Sequence, residues 1–158
     1  MTFDAPQAAA LRAKNRKTVE TYLADTKGQN RLRRHRLFAP NAVSGLWTTE
    51  TCEPIVIEGI EALERHAHWS LQCFPDWEWV NIRIFTTDDP NFVWAECDGC
   101  GRICFPGYRE GHYENHFLHS FELDNGLIVR NREFMNPIAQ LKALDIDVPR
   151  IRREGLAA

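Results

Sequence analysis

From Tyr113 to Asn136 the chain reads YENHFLHSFELDNGLIVRNREFMN, and apolar residues recur at every second position on both sides of Asn125-Gly126. That period predicts two antiparallel strands around a tight turn. Two registers fit the turn. A two-residue Asn-Gly turn sets Asp124 opposite Leu127, whereas a three-residue loop with Gly126 left-handed sets Leu123 opposite Leu127. The second is favoured. It opposes Glu133 to Phe117 and collects Tyr113, Asn115, Phe117, His119, Phe121, Val129, Asn131, Glu133 and Met135 on one face. An otherwise apolar surface then carries a carboxyl, an imidazole, a phenol and two amides.

The remaining pattern predicts helices before strands. APQAAALRAKNRKTVETYLADT is a helix with a modest stripe of Leu11, Val19, Tyr22 and Leu23, and KGQN breaks it. RLRRHRLF is a short second helix, and AVSGLWTT and PIVIEG are short strands joined by a turn. In IEALERHAHWSLQCF, the residues Leu63, His66, Ala67, Ser70, Leu71 and Phe74 keep the spacing of a buried helical face, which Pro75 ends. WEWVNIRIFTT and FVWAECDGCGRICF are long strands, and the glycines of the latter suggest bulging. PIAQLKAL closes the chain as a short helix, and the tail DIDVPRIRREGLAA packs only in part. This order is α+β: a curved, mixed or antiparallel sheet wrapped around helices, enclosing a deep cone-shaped pocket. The 158 residues form one domain, long enough to hold a core and a small-molecule cavity.

Composition narrows the function classes. A net charge of -3 gives no general attraction to nucleic acid or anionic membrane. The N-terminal residues have no apolar core of a signal peptide, and no run reaches the length of a membrane span. A soluble, cytoplasmic protein is expected, its five cysteines reduced thiols.

The chemistry concentrates in few places. A carboxyl held among Phe and Met side chains is costly to ionise, so Glu133 is a candidate proton donor near neutrality; the bland alternative is an exposed edge carboxylate paired with Arg. His66 and Ser70 lie one turn apart in an apolar stripe, either as satisfied core residues or looking into the pocket. RLRRHR reads first as a solvated basic face, but Arg34 leans toward the buried side of Leu37 and Phe38, where its planar fork suits a carboxylate. Cys97 and Cys100 have a metal-knuckle spacing with no second pair, and HYENH has the zinc-protease residues in the wrong order, so neither predicts a metal site.

The segments TKGQNRLRRHRLF, GLWTTETCEPIVI, WSLQCFPDWEW, FPGYREGHYENHFLHSFELDNG and NREFMN resemble the phenazine biosynthesis A/B family, over nearly the whole chain. The resemblance implies a nuclear-transport-factor-2-like cone, shared with ketosteroid isomerases and small polyketide cyclases, and a homodimer through the sheet or a heterodimer with a paralogue. It implies cofactor-free condensation of two molecules of 6-amino-5-oxocyclohex-2-ene-1-carboxylic acid, by two imine-forming steps, to a tricyclic hexahydrophenazine-1,6-dicarboxylate. The family's pocket residues fall on Arg34, His66, Ser70, Tyr113 and Glu133. Some family members lack the His or Ser; this chain resembles the competent type. In that reading Glu133 and His66 are catalytic, Arg34, Ser70 and Tyr113 bind substrate, and Trp77, Trp79 and Phe117 form apolar walls. Two other readings fit the residues: a polyketide cyclase or isomerase on the same fold, and a protein that binds the aminoketone without catalysis.

Overall fold

Asp4 starts the first helix by a capping box: its carboxylate accepts from the Gln7 amide at 2.8 Å, and the Gln7 side chain accepts from the Asp4 amide at 3.4 Å. The computed structural model describes residues 4–155. It begins with α1 (Ala5–Ala24), whose buried residues are Asn15, Val19, Tyr22 and Leu23. Next comes a 3₁₀ helix at Gly28–Leu37; it begins three residues before the expected helix RLRRHRLF, inside the KGQN break, and ends at Leu37, with Phe38 opening the first strand. With three residues per turn, side chains three apart share a column. Arg31, Arg34 and Leu37 therefore face inward together.

Arg31 is wholly buried and has no carboxylate partner among the described residues. Its guanidinium donates to the carbonyls of Thr26 at 2.7 Å, Ser70 at 2.8 Å and Phe74 at 2.9 Å. Two of these lie at the end of α2 (Ile60–Cys73), where Ser70 O also accepts from the Phe74 amide at 2.9 Å and Phe74 O from the Trp77 amide at 3.4 Å. Burial pushes Arg31 down to about 10, so it stays charged at neutral pH and pins the 3₁₀ helix to α2.

Six strands form one sheet in the order β2-β1-β6-β5-β4-β3. They are β1 (Phe38–Leu46), β2 (Ile55–Glu58), β3 (Glu78–Thr86), β4 (Phe92–Ile103), β5 (Gly111–Asp124) and β6 (Leu127–Met135), followed by α3 (Pro137–Ala143). The sheet is mixed, since β1 and β6 run parallel while the other neighbours are antiparallel. Residues 147–155 form no helix or strand; the last three tail residues lie outside the described residues. No helix among the described residues is long and apolar enough to cross a membrane.

The hairpin departs from the favoured register. Asp124 opposes Leu127 across a two-residue turn, with Asn125 and Gly126 both at positive φ. Farther along, the ladder slips by one residue, Leu123 facing Ile128 but Glu122 facing Arg130. Val129 is the extra residue, and the slip restores the pleat parity that the wrong register had assumed. Glu133 therefore opposes His119, and Phe117 opposes Met135. Ile128, not Val129, enters the core. The turn is held from outside the hairpin: the buried Asn15 accepts from the Gly126 amide at 2.9 Å, and Lys14 donates to the Asn125 side chain at 2.8 Å.

The glycines of β4 have a different purpose from bulging. β4 pairs with β5 without a break, and the irregular pairing lies in β3 between Val80 and Arg83. A Cβ at Gly99 would stand 2.1 Å from the Trp77 indole, so this glycine makes room for the ring. Cys97 is buried in the same region, where burial and then the Glu133 charge push its thiol up to about 12; it acts as a small apolar side chain. Among the described residues no cluster of His, Cys, Asp or Glu is arranged to hold a metal ion.

Candidate active site

Two groups of buried residues fill the concave side of the sheet. One contains Val19, Tyr22, Phe38, Leu63 and Phe121; the other contains Trp77, Tyr113, Phe117 and Met135. Members of both line a cavity of about 310 Å³, at the lower end of the range for small-molecule pockets. Arg34, His66, Ser70, Trp77, Trp79, Tyr113, Phe117 and Glu133 all border it. The 3₁₀ helix supplies Arg34 and α2 supplies His66 and Ser70. Trp79 comes from β3, Tyr113 and Phe117 from β5, and Glu133 from β6, while Trp77 precedes β3.

Glu133 is not an edge carboxylate paired with Arg. β6 lies between β1 and β5, and Glu133 stands opposite Leu46 on one side and His119 on the other. Burial raises its carboxyl above the ordinary range, more than the Arg34 charge and the Tyr22 hydroxyl lower it. Tyr22 Oη lies 3.5 Å from Glu133 Oε1, and His119 Nδ1 lies 3.8 Å from the same oxygen.

Arg34 is set by two contacts. Its Nη1 donates to Thr26 Oγ1 at 2.8 Å, and its guanidinium carbon sits 4.5 Å over the Tyr22 ring. These engage Nη1 and one face of the fork, and the residue borders the cavity. Thr26 Oγ1 also accepts from Trp79 Nε1 at 3.0 Å, so one hydroxyl positions both a cation and an aromatic wall.

His66 stacks on Trp69 with ring centroids 5.2 Å apart. Burial first, then the Arg34 and Arg31 charges, push it down to about 4, so the imidazole facing the pocket is neutral. Ser70 Oγ accepts from Arg31 Nη1 at 3.2 Å. Arg31 has only donors, which leaves the Ser70 proton free to point elsewhere. Tyr113 accepts from Asn115 Nδ2 at 2.8 Å and reaches Met135 Sδ at 3.9 Å, a weak acceptor that a ligand atom can replace. Burial pushes its phenol up to about 12. Trp77, Trp79 and Phe117 meet edge to face, with centroids 4.7 to 5.9 Å apart.

Of the other polar residues on that hairpin face, Asn115 and Asn131 are hydrogen-bonded. His119 is not. It is stacked between Phe117 and Phe121, and neither ring nitrogen has a hydrogen-bond partner among the described residues. Burial, with the Arg34 charge second, lowers it to about 3. Tyr22, Thr26 and Arg31 were not predicted as site residues. Tyr22 had appeared only as a member of the α1 stripe, and Arg31 only as one of several arginines.

Comparison with known proteins agrees with this architecture. The family model for phenazine biosynthesis protein A/B matches residues 3–158. Phenazine biosynthesis protein PhzB1 of Pseudomonas aeruginosa is 66% identical over 149 residues, covering 94% of this chain and 91% of that protein. The crystal structure of a phenazine biosynthesis-related protein from Pseudomonas aeruginosa superposes with a TM-score of 0.94 at 62% identity, covering 98% of this chain and 100% of the other. A Jannaschia protein proposed to be a SnoaL-like polyketide cyclase shares the fold at 18% identity, with a TM-score of 0.71 and coverage of 94% and 100%. The expected nuclear-transport-factor-2-like cone is thus the fold.

Proposed function

The chain belongs to the phenazine biosynthesis protein A/B family, and from that membership and its pocket we propose that it condenses two aminoketone carboxylates into a tricyclic phenazine precursor. The observation that carries the reading is Glu133: a carboxyl whose pKa is raised by burial, on the wall of a cavity that also holds a guanidinium, a neutral imidazole and several hydroxyls. The substrate is 6-amino-5-oxocyclohex-2-ene-1-carboxylic acid, and each of two imine-forming steps releases one water.

Arg34 binds a substrate carboxylate through its fork. The amine of one molecule attacks the ketone carbon of the other. Glu133 gives its proton to the ketone oxygen as the C–N bond forms, and neutral His66 accepts the proton that nitrogen loses. A depressed pKa makes His66 a poor holder of that proton, so it passes on to recharge the carboxylate. Glu133 next protonates the carbinolamine hydroxyl, which leaves as water, and the resulting iminium gives its N–H proton back to the Glu133 carboxylate, leaving the neutral imine. Ser70 and Tyr113 orient the reactants, and the Trp77, Trp79 and Phe117 walls exclude water around them. No electrons are transferred, so these steps call for no redox cofactor.

An anaerobic assay that generates the aminoketone in situ tests the reading. Tricycle formation is expected to be faster with protein than without it. Equal rates would leave a protein that binds the aminoketone but does not condense it.

The reading also has the protein acting as a homodimer or as a heterodimer with a paralogue. On the outer face of the sheet the exposed Phe85 pairs with Trp94, Trp94 lies 6.3 Å from the Phe134 ring, and Phe134 opposes the exposed Leu118. This apolar row, flanked by Arg83 with Glu96 and Arg132 with Glu122, suits a second copy. Light scattering of the purified chain is expected to give twice the monomer mass; a monomer at micromolar concentration rules out the homodimer.

A further inference from the structure

An acid that fires twice in each imine-forming step must become a carboxylate twice in that step. A carboxylate in a largely apolar wall, its side chain only 24% exposed, gains from a donor at that moment, since an ionised oxygen without one pays for its lost hydration. Among the described residues the side chain of Glu133 has a single hydrogen-bonding neighbour, the hydroxyl of Tyr22 on α1. That hydroxyl has one proton and two acceptors within reach: Asn131 Oδ1 at 3.2 Å and Glu133 Oε1 at 3.5 Å. The shorter contact is to Asn131, the arrangement expected while Glu133 keeps its own proton.

Asn131 can release the Tyr22 proton at little cost. Its Oδ1 also accepts from Ser44 Oγ at 3.2 Å, and its Nδ2 donates to Ser120 O at 3.4 Å. When the Tyr22 hydroxyl turns away, the buried amide still has both kinds of partner. Tyr22 itself does not lose its proton, because burial raises its phenol above the ordinary value. The ring is fixed independently of the hydroxyl, edge to face with Phe38 at 5.8 Å and Phe121 at 5.3 Å, and under the Arg34 guanidinium.

We propose that Tyr22 is a positioning residue for Glu133, a two-position donor that bonds Asn131 while Glu133 is protonated and turns to Glu133 once it is ionised. The proposal rests on the reading of Glu133 as the acid. No covalent bond changes at Tyr22; one hydrogen bond is exchanged for another, and the tyrosine keeps its proton throughout.

The other charged and titratable groups facing this spot do not supply the same donor. Arg34 acts on Glu133 through space, its guanidinium donating to Thr26 and lying over the Tyr22 ring. His119 on β5 stands at 3.8 Å and is held by its aromatic neighbours. Cys97 on β4 and Tyr113 on β5 feel the Glu133 charge without a hydrogen bond to it, and His66 lies on α2 across the cavity.

Tyr22→Phe removes the hydroxyl and keeps the ring contacts. Carbon-13 NMR of the Glu133 side-chain carboxyl, without substrate, is expected to show its titration midpoint moving upward by about one pH unit in the variant, the size of one hydrogen bond to a charged group. In the parent, the Tyr22 Cζ signal is expected to titrate with the same midpoint as Glu133, a measurement that needs no folded variant. The descending limb of the rate against pH should move upward by the same amount as the Glu133 midpoint. A Glu133 midpoint unchanged by the substitution, or a Tyr22 signal flat through that pH range, overturns the proposal. If the midpoint moves and the rate limb does not, the coupling stands and Glu133 is not the acid.

Discussion

Glu133→Gln is expected to lose about 10²- to 10⁴-fold in rate, most of the acceleration that a positioned general acid supplies. The remaining acceleration comes from holding the two reactants together in the cavity. Gln has nearly the shape of a protonated Glu and offers the same kind of oxygen to Tyr22, so the geometry at 3.5 Å is preserved and only the transferable proton is lost. The parent rate is expected to fall as pH rises through the raised Glu133 value, because the acid form is then depleted. The variant should lack that limb. A variant as fast as the parent in the anaerobic assay would remove Glu133 from the chemistry.

Stability gives a second reading of the same substitution. A carboxyl whose pKa is raised in the folded state favours folding fully below its unfolded value, and that contribution is lost as pH rises toward the folded value. Glu133 is such a group, with burial as the leading cause. The parent should therefore lose stability over this window while Glu133→Gln, which has no proton to lose, does not. Urea midpoints at a few pH values would show the two curves diverging as pH increases. This separates a change in proton chemistry from damage to the fold, since damage would lower the variant's midpoint at every pH.

The sequence made the pocket face legible because strand periodicity is local. Tyr113, Phe117, His119, Asn131, Glu133 and Met135 alternate by two, and any register of even parity puts them on one side. The register itself was not legible. It depends on Asn15, more than a hundred residues away, gripping the Gly126 amide, and on the slip at Val129 that corrects the parity afterwards. The fold class followed from element order, and the family motifs narrowed it to the cone. Tyr22, Thr26 and Arg31 escaped for a different reason. Each acts through partners distant in the chain, and nothing in RLRRHR distinguishes Arg31 from its neighbours until the carbonyls at the end of α2 are in place. One signal is present in the sequence: at three residues per turn, Arg31 and Arg34 share the inner column of this segment with Leu37.

In the proposed reading Arg34 serves both binding and acidity, and two substitutions should separate these roles. Arg34→Met removes the fork and the charge. Losing a partly buried partner of a carboxylate is expected to raise KM by about 30-fold or more, corresponding to at least about 2 kcal/mol. The same change removes the charge that lowers Glu133 and contributes to the depression of His66, so the acid limb of the rate profile should also move to higher pH. Arg34→Lys keeps a charge on a flexible stem but cannot offer two parallel donors. It is expected to raise KM while leaving the limb close to that of the parent. In both variants Thr26 keeps its bonds to the Tyr22 carbonyl at 3.1 Å and to Trp79 at 3.0 Å, so the wall beside the fork should remain in place. A KM unchanged in both would move the carboxylate site away from Arg34. A limb that shifts equally in both would tie Glu133 to the position of the guanidinium, not to its charge.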